Sequence, residues 1–233
     1  QALTTATSSG AGKCLKFDLI GFDACLMATA ETGLVLDDFA DYMVASEETE
    51  PGIGWYYTNW LTKLSQNTSM SSLEIGKNIC DDFVSTCASE CRGQSATLSL
   101  VDLAELSNTL PGALKAFSES TATLISSDSY ATVSSARSSS REFATSSKID
   151  QVDLTDLCNR IGTADAKALA SALLGAVKYN KVSSDMTNAY GISIYFPYKQ
   201  KSYVNTAVKT YTAIGMDSSY SKCFQIGRAS CRE

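Results

Sequence analysis

The sequence predicts an α/β protein whose first part alternates short strands with helices and whose later part is mainly helical with one late strand. Two stretches carry this. Residues 17–22 are a short apolar run that gives way to 26–36, where Leu26, Met27, Ala30, Leu34 and Val35 recur at helical spacing between Thr29, Glu31 and Thr32. Residues 96–101 form a second apolar run, and Asp102, with Glu105 three residues on, is placed to cap the long helical stretch that follows.

Taken in order, residues 1–12 are small and polar and are expected to be mobile. Lys13 and Lys16 read as solvated lysines, with self-cleavage beside them as the alternative. The run 17–22 reads as a buried strand, and Gly21-Phe22-Asp23-Ala24-Cys25-Leu26-Met27 then sets a thiol at an abrupt strand-to-helix junction. Residues 55–66 mix aromatic and polar side chains. Ser71-Ser72-Leu73-Glu74 has the form of a capping box and opens a helix to about residue 91, with Leu73, Ile79, Phe83 and Val84 expected inside. Arg92-Gly93 stops it. The helix after Asp102 runs to about residue 126 with a kink expected at Pro111-Gly112. Residues 126–148 are rich in Ser and Ala and read as a linker or a weak amphipathic helix carrying Tyr130, Val133, Ala136 and Phe143, with Arg137 and Arg141 four apart. Val152-Asp153-Leu154-Thr155-Asp156-Leu157 echoes Val101-Asp102-Leu103-Ala104-Glu105-Leu106, which two capped helix starts explain. Residues 163–179 predict a helix with Leu169, Leu173 and Val177 on one face, and 191–197 alternate Ile192, Ile194 and Phe196 as a strand does.

Composition narrows the function classes. A net charge of −6 and a pI near 4.8 argue against nucleic acid or an anionic membrane as partner. No apolar run reaches the length that spans a bilayer. Of the eight cysteines, Cys87 and Cys91 are four apart on a predicted helix and face one side of it. With no His and no second close pair they do not make a zinc site, and that spacing is poor for a disulfide. Cys14, Cys80, Cys158 and Cys223 show no pairing pattern, and Cys231 lies close to the last residue. No metal ligand set is read from the sequence.

By residue type alone, a Cys beside Leu and Met is core packing. At the carboxyl end of a strand, however, Cys25 would feel the free amides and positive end of the following helix, which favour the thiolate.

The segment Gly21-Phe22-Asp23-Ala24-Cys25-Leu26-Met27-Ala28-Thr29-Ala30-Glu31 closely resembles the nucleophile segment of the clostripain-like cysteine peptidases. Tyr42-Met43-Val44-Ala45-Ser46-Glu47-Glu48-Thr49-Glu50-Pro51-Gly52-Ile53-Gly54-Trp55 is similar to that family's second core strand and the loop leaving it. Gly191-Ile192-Ser193-Ile194-Tyr195-Phe196-Pro197-Tyr198 is similar to a segment near the end of many members, so the likeness runs from about residue 17 to 225. The resemblance implies a caspase-like α/β/α sandwich with a mostly parallel sheet, a Cys–His dyad, and cleavage after Arg or Lys. It also implies secretion or a cell-surface location in a bacterium.

The chain contains no His, so the dyad's base is expected on a strand upstream of Gln1, and the sandwich is expected to be incomplete. Gln1 is then either a processing site or a truncation. Residues 226–233 are read as a non-native tail resembling a translated sequencing adapter. The expected organisation is therefore 1–101, the part of a caspase-like core that carries the nucleophile, then 102–225, a mainly helical subdomain, then the tail.

The resemblance assigns Cys25 as nucleophile and Asp23 as the carboxylate that receives the basic substrate side chain; the bland reading of Asp23 is a cap for the helix near Leu26. Glu47, Glu48 and Glu50 form an acidic loop that reads mostly as a solvated face, with Glu50 taken as the one that adds negative potential to the substrate site. Pro51-Gly52-Ile53-Gly54 offers a closely approached backbone wall. Trp55 either stacks on the stem of the basic side chain or packs internally. The expected partners are Arg- or Lys-containing peptides and proteins and the upstream segment; no nucleic acid and no membrane span are expected. No cofactor is implied. Some relatives depend on calcium, but no Asp/Asn/Gly loop of calcium-binding spacing occurs here. An inactive caspase-like binding or scaffold protein is the alternative function, and a transpeptidase, in which an amine takes the acyl group, is a third.

Overall fold

A computed structural model describes residues 2–7, 15–127, 129–198 and 201–230. Residues 8–14, which include Lys13 and Cys14, and residues 231–233 of the proposed tail, which include Cys231, lie outside that set. The elements run α1 Ala2–Thr7, β1 Phe17–Gly21, α2 Ala30–Leu36, β2 Ala40–Ala45, α3 Tyr57–Gln66, α4 Ser72–Glu90, β3 Thr97–Asp102 and α5 Leu103–Ser126. They continue with α6 Tyr130–Ser139, β4 Glu142–Phe143, β5 Gln151–Asp153, α7 Leu154–Ile161, α8 Ala164–Ala176, β6 Val177–Val182, β7 Ser193–Tyr195, α9 Val204–Ala213 and α10 Ser218–Ser230.

The main sheet has the order β1-β2-β3-β6 and a smaller antiparallel sheet has the order β4-β5-β7. In the main sheet β1 and β2 are parallel, with Ile20 opposite Met43 and Gly21 opposite Val44, while β3 runs antiparallel to both β2 and β6. The sheet is therefore mixed, and its parallel character lies at the edge that carries the loops described below. Alternation along the strands sends side chains to two layers. Met43, Ala45 and Val101 join Leu106, Leu110, Phe117, Leu169 and Leu173 on one face. Val44, Leu98 and Leu100 meet Ile79, Phe83 and Val84 of α4 on the other. Both faces being covered by helices, the architecture is an α/β/α sandwich.

The expected caps are present. Ser71 accepts from Glu74 N–H, Asp102 from Glu105 N–H and Asp153 from Asp156 N–H. The echo between 101–106 and 152–157 thus marks two helix starts of the same kind, and α5 continues through Pro111.

Several expectations are corrected. Residues 2–7 are helical. Strand β1 is an edge strand, not a buried one: β2 is its one neighbour among the described strands, and Phe17 is 41% exposed. Leu73 sits in the exposed first turn of α4. Phe143 belongs to β4, beyond α6, where it is fully buried. The predicted helix 163–179 stops at Ala176, because Val177 onward pairs with β3 as the fourth strand of the main sheet. Residues 57–66, within the stretch of mixed aromatic and polar side chains, form helix α3.

Candidate active site

Strands β1 and β2 end side by side, and the two loops that leave them stay in contact. Phe22 N–H donates to Val44 O, Leu26 N–H to Glu48 O and Ala28 N–H to Ser46 O. Between these bonds lies a turn holding Cys25, the one exposed cysteine among the six described. Glu50 N–H donates to Cys25 Sγ at 3.2 Å. Leu26 has φ +63°, a left-handed backbone that costs a residue with a Cβ about 1–2 kcal/mol. The other described cysteines are buried, and burial raises the thiols of Cys87, to about 11, and Cys223, to about 12, and also those of Cys80 and Cys158.

The expected helix junction is different from the one found. Helix α2 begins at Ala30, and its N-cap is Thr29, whose hydroxyl accepts from Thr32 N–H. Cys25 therefore does not sit on a helix N-terminus, and the amide that meets its sulfur is that of Glu50, from the neighbouring loop. Asp23 does not cap a helix either. Its carboxylate accepts Trp55 N–H at 3.2 Å on both oxygens and Tyr57 O–H at 3.0 Å, and Asp23 remains exposed.

Two glycines allow this approach. Gly54 has φ +66°, and a Cβ on it would stand 3.0 Å from Asp23 Oδ2. A Cβ on Gly21 would stand 2.6 Å from Trp55 Cη2, so the end of β1 is shaped to receive the indole ring. Trp55 is 7% exposed and packs with Val44, Ile79 and Phe83, so its ring face is committed to the core and only its indole N–H reaches the site, donating to Glu50 Oε1 at 3.4 Å.

The acidic loop is not a solvated face. Glu47 is fully buried, with Gly191 N–H donating to its Oε2, and Glu48 and Glu50 are half-buried. Desolvation, reinforced by the nearby Asp23 charge, raises the Glu50 carboxyl to about 8. Burial and Asp23 also raise the Tyr57 phenol. Asp23, Cys25, Glu50 and Trp55 thus fall together in one cluster. Sequence reading missed Tyr57, for which the aromatic run Trp55-Tyr56-Tyr57 after a glycine turn was the available signal, and named Glu48 only within the acidic loop read mostly as a solvated face. Among the described residues no group of three or more His, Cys, Asp or Glu side chains is placed to hold a metal ion, and no helix is long and apolar enough to cross a membrane.

An exposed thiol beside a carboxylate, at the carboxyl end of a parallel strand pair in an α/β/α sandwich, has the placement that a cysteine peptidase of caspase-like class requires of its nucleophile. The chain belongs to the clostripain family, whose model matches residues 2–223. Among solved structures it is similar to a clostripain from Bacteroides thetaiotaomicron in complex with the peptide inhibitor BTN-VLTK-AOMK. That match has 20% identity and a TM-score of 0.64, covering 95% of this chain and 92% of that one. It is also similar to an inactive zymogen C11 protease from Parabacteroides distasonis, at 20% identity and a TM-score of 0.63, covering 92% of this chain and 62% of that one. A secreted C11 cysteine protease from Bacteroides thetaiotaomicron, in complex with an irreversible peptide inhibitor, matches at 20% identity and a TM-score of 0.59, covering 86% and 60%. At these identities the likeness establishes the shared fold. None of the curated protein sequences matches.

Proposed function

We propose that the chain is the nucleophile-bearing part of a secreted bacterial endopeptidase that cleaves after Arg or Lys, using a Cys–His dyad whose His lies on polypeptide upstream of Gln1. One observation carries this reading: the exposed Cys25 sulfur, met by the Glu50 amide at 3.2 Å, shares a cluster with the exposed Asp23 carboxylate. In this reading Cys25 attacks the scissile carbonyl, the imidazolium gives its proton to the leaving amine, and water resolves the thioester acyl-enzyme. The Cys25 N–H donates to the oxyanion. Asp23 receives the guanidinium or ammonium group, and Glu50 adds a second carboxyl. Trp55 serves by position: its backbone N–H holds Asp23 and its indole N–H holds Glu50.

Three observations support the finer points. The open edge of β1, with Phe17 exposed, suits pairing by an upstream strand. The inhibitor named with the Bacteroides thetaiotaomicron clostripain ends its peptide VLTK in lysine. A relative named as secreted supports secretion. The alternative, a caspase-like binding or scaffold protein without turnover, draws on one fact, the absence of His from the sequence.

The test uses the enzyme completed with its upstream segment and assayed on peptides with Arg, Lys or a neutral residue before the cut. Turnover is expected on the basic peptides alone, lost in Cys25→Ala, equal with and without EDTA, and absent from this chain by itself. Asp23→Asn is expected to lower kcat/KM on basic peptides by about 100-fold or more, as loss of one partner of a desolvated charge pair does, while Cys25 stays reactive to iodoacetamide. Undiminished turnover in Asp23→Asn discards its role, and a completed enzyme that hydrolyses nothing favours the scaffold reading.

A further inference from the structure

Glu48 has no assigned part in the reading above, yet it joins four segments around Cys25. Its backbone C=O accepts Leu26 N–H at 3.2 Å and Ser46 O–H at 2.9 Å. Its own N–H donates to Thr97 Oγ1, at the start of β3, at 3.1 Å. Its carboxylate Oε1 accepts Thr49 N–H at 2.7 Å, Thr49 O–H at 3.2 Å and, from far along the chain, Ala144 N–H at 3.0 Å.

The two residues at the far ends of these bonds share an unusual backbone. Leu26 and Ala144 are both left-handed, with φ +63° and +44°, a region that residues with a Cβ occupy only when their surroundings hold them there. The Leu26 side chain packs in a small cluster with Phe143, the residue before Ala144, and with Met186 and Ala189. The turn carrying Cys25 is thus fastened to residues 143–144 twice, through the Leu26 side chain and through the Glu48 carboxylate. Two residues after Glu48, the Glu50 amide donates to Cys25 Sγ. A fixed donor at that distance holds the sulfur in one position for attack.

We infer that Glu48 is a positioning residue: by clamping its loop to Ala144 it fixes both the left-handed turn at Leu26 and the Glu50 amide against the Cys25 sulfur. The clamp needs an acceptor at Oε1, not a charge. The inference rests on Cys25 being the nucleophile, and its test reads the sulfur directly, without peptidase activity.

The measurement is the rate of Cys25 alkylation by iodoacetamide at one fixed pH, followed by peptide mapping so that Cys25 is read separately from every other cysteine. In Glu48→Ala that rate is expected to fall about tenfold, because the donor that holds the sulfur is no longer fixed. Glu48→Gln, which keeps an acceptor, is expected to follow the unmodified chain. The buried cysteines report on folding: they stay protected if only the loop has loosened. Should Glu48→Ala fail to fold, Glu48→Asp, whose carboxylate is drawn back by one methylene, is expected to slow the reaction in the same way. An unchanged rate in a folded Glu48→Ala or Glu48→Asp chain overturns the inference, as does a Glu48→Gln chain slowed as far as Glu48→Ala. If Cys25 of the unmodified chain is inert, it is the nucleophile assignment that fails.

Discussion

Glu50 places a carboxyl of raised pKa next to that of Asp23, and the consequences have opposite signs for binding and for stability. Desolvation and the Asp23 charge hold its proton on until about pH 8. A basic side chain entering beside Asp23 favours the ionised form, so binding it displaces that proton. KM for Arg and Lys peptides is therefore expected to fall as pH rises toward 8 and to level off above it, and Glu50→Gln should flatten this dependence. Stability runs the other way. A carboxyl whose folded pKa is raised contributes stability that is complete below its unfolded value, about 4.5, and is lost as pH rises through about 8. Steady-state kinetics between pH 6 and 9 on the completed enzyme check the first sign; a KM that does not change with pH in the unmodified enzyme sinks it. The motif around Cys25 made Asp23, Cys25, Glu50 and Trp55 legible as candidates from sequence. What stayed hidden was which atoms of them face the site. The indole ring of Trp55 turns inward because Gly21 leaves room for it, and Tyr57 reaches Asp23 only through tertiary contact.

The elements read correctly were those with a cap or a strict period. Ser71, Asp102, Asp153 and Thr163 each accept a backbone N–H three residues on, and the four helices they open begin where the sequence places them. Helix α3 was missed although Tyr57, Trp60, Leu61 and Leu64 stand at i, i+3, i+4 and i+7; it has no side-chain cap bond and buries no residue fully. Strand β6 was missed because Val177-Lys178-Tyr179 continues α8 without a breaker between them, and its identity is set by pairing with β3. The layer between α4 and the sheet gives a prediction at this scale. Phe83 is fully buried among Val44, Leu98 and Leu100, beneath the strand whose loop carries Glu50. Phe83→Ala is expected to destabilise the fold by about 3–5 kcal/mol through lost transfer energy and the cavity left behind. A drop in the urea midpoint with an unchanged m-value checks it; a shift under about 1 kcal/mol means that this face repacks.

At the scale of the whole molecule, what the sequence could not disclose is how its two sheets are joined. Glu47, just past β2, and Asp153, at the end of β5, are both fully buried and face each other. Glu47 Oε2 accepts Gly191 N–H at 2.9 Å, while Asp153 caps α7 and also accepts Tyr190 N–H at 2.5 Å. Read as part of a charged run, Glu47 belongs on a surface; in the fold it connects the main sheet to the segment before β7. Desolvation raises both carboxyls; the Asp153 charge and then Glu48 raise Glu47 further, whereas for Asp153 the hydrogen bond from Glu47 opposes the rise and Asp156 adds to it. Two buried carboxylates this close are tolerable only while a proton is retained between them. Both folded pKa values lie above the unfolded ones, so the stability from the retained proton is complete below about pH 4 and falls as pH rises through about 6 and beyond. Glu47→Gln keeps an acceptor for Gly191 N–H and offers Asp153 an amide donor that does not titrate. It is expected to match the unmodified chain near pH 5 and to exceed it in urea midpoint at pH 8, with a shallower dependence between. If the two chains stay parallel across that range, the junction between the sheets carries no shared proton, and its stability comes from the backbone hydrogen bonds alone.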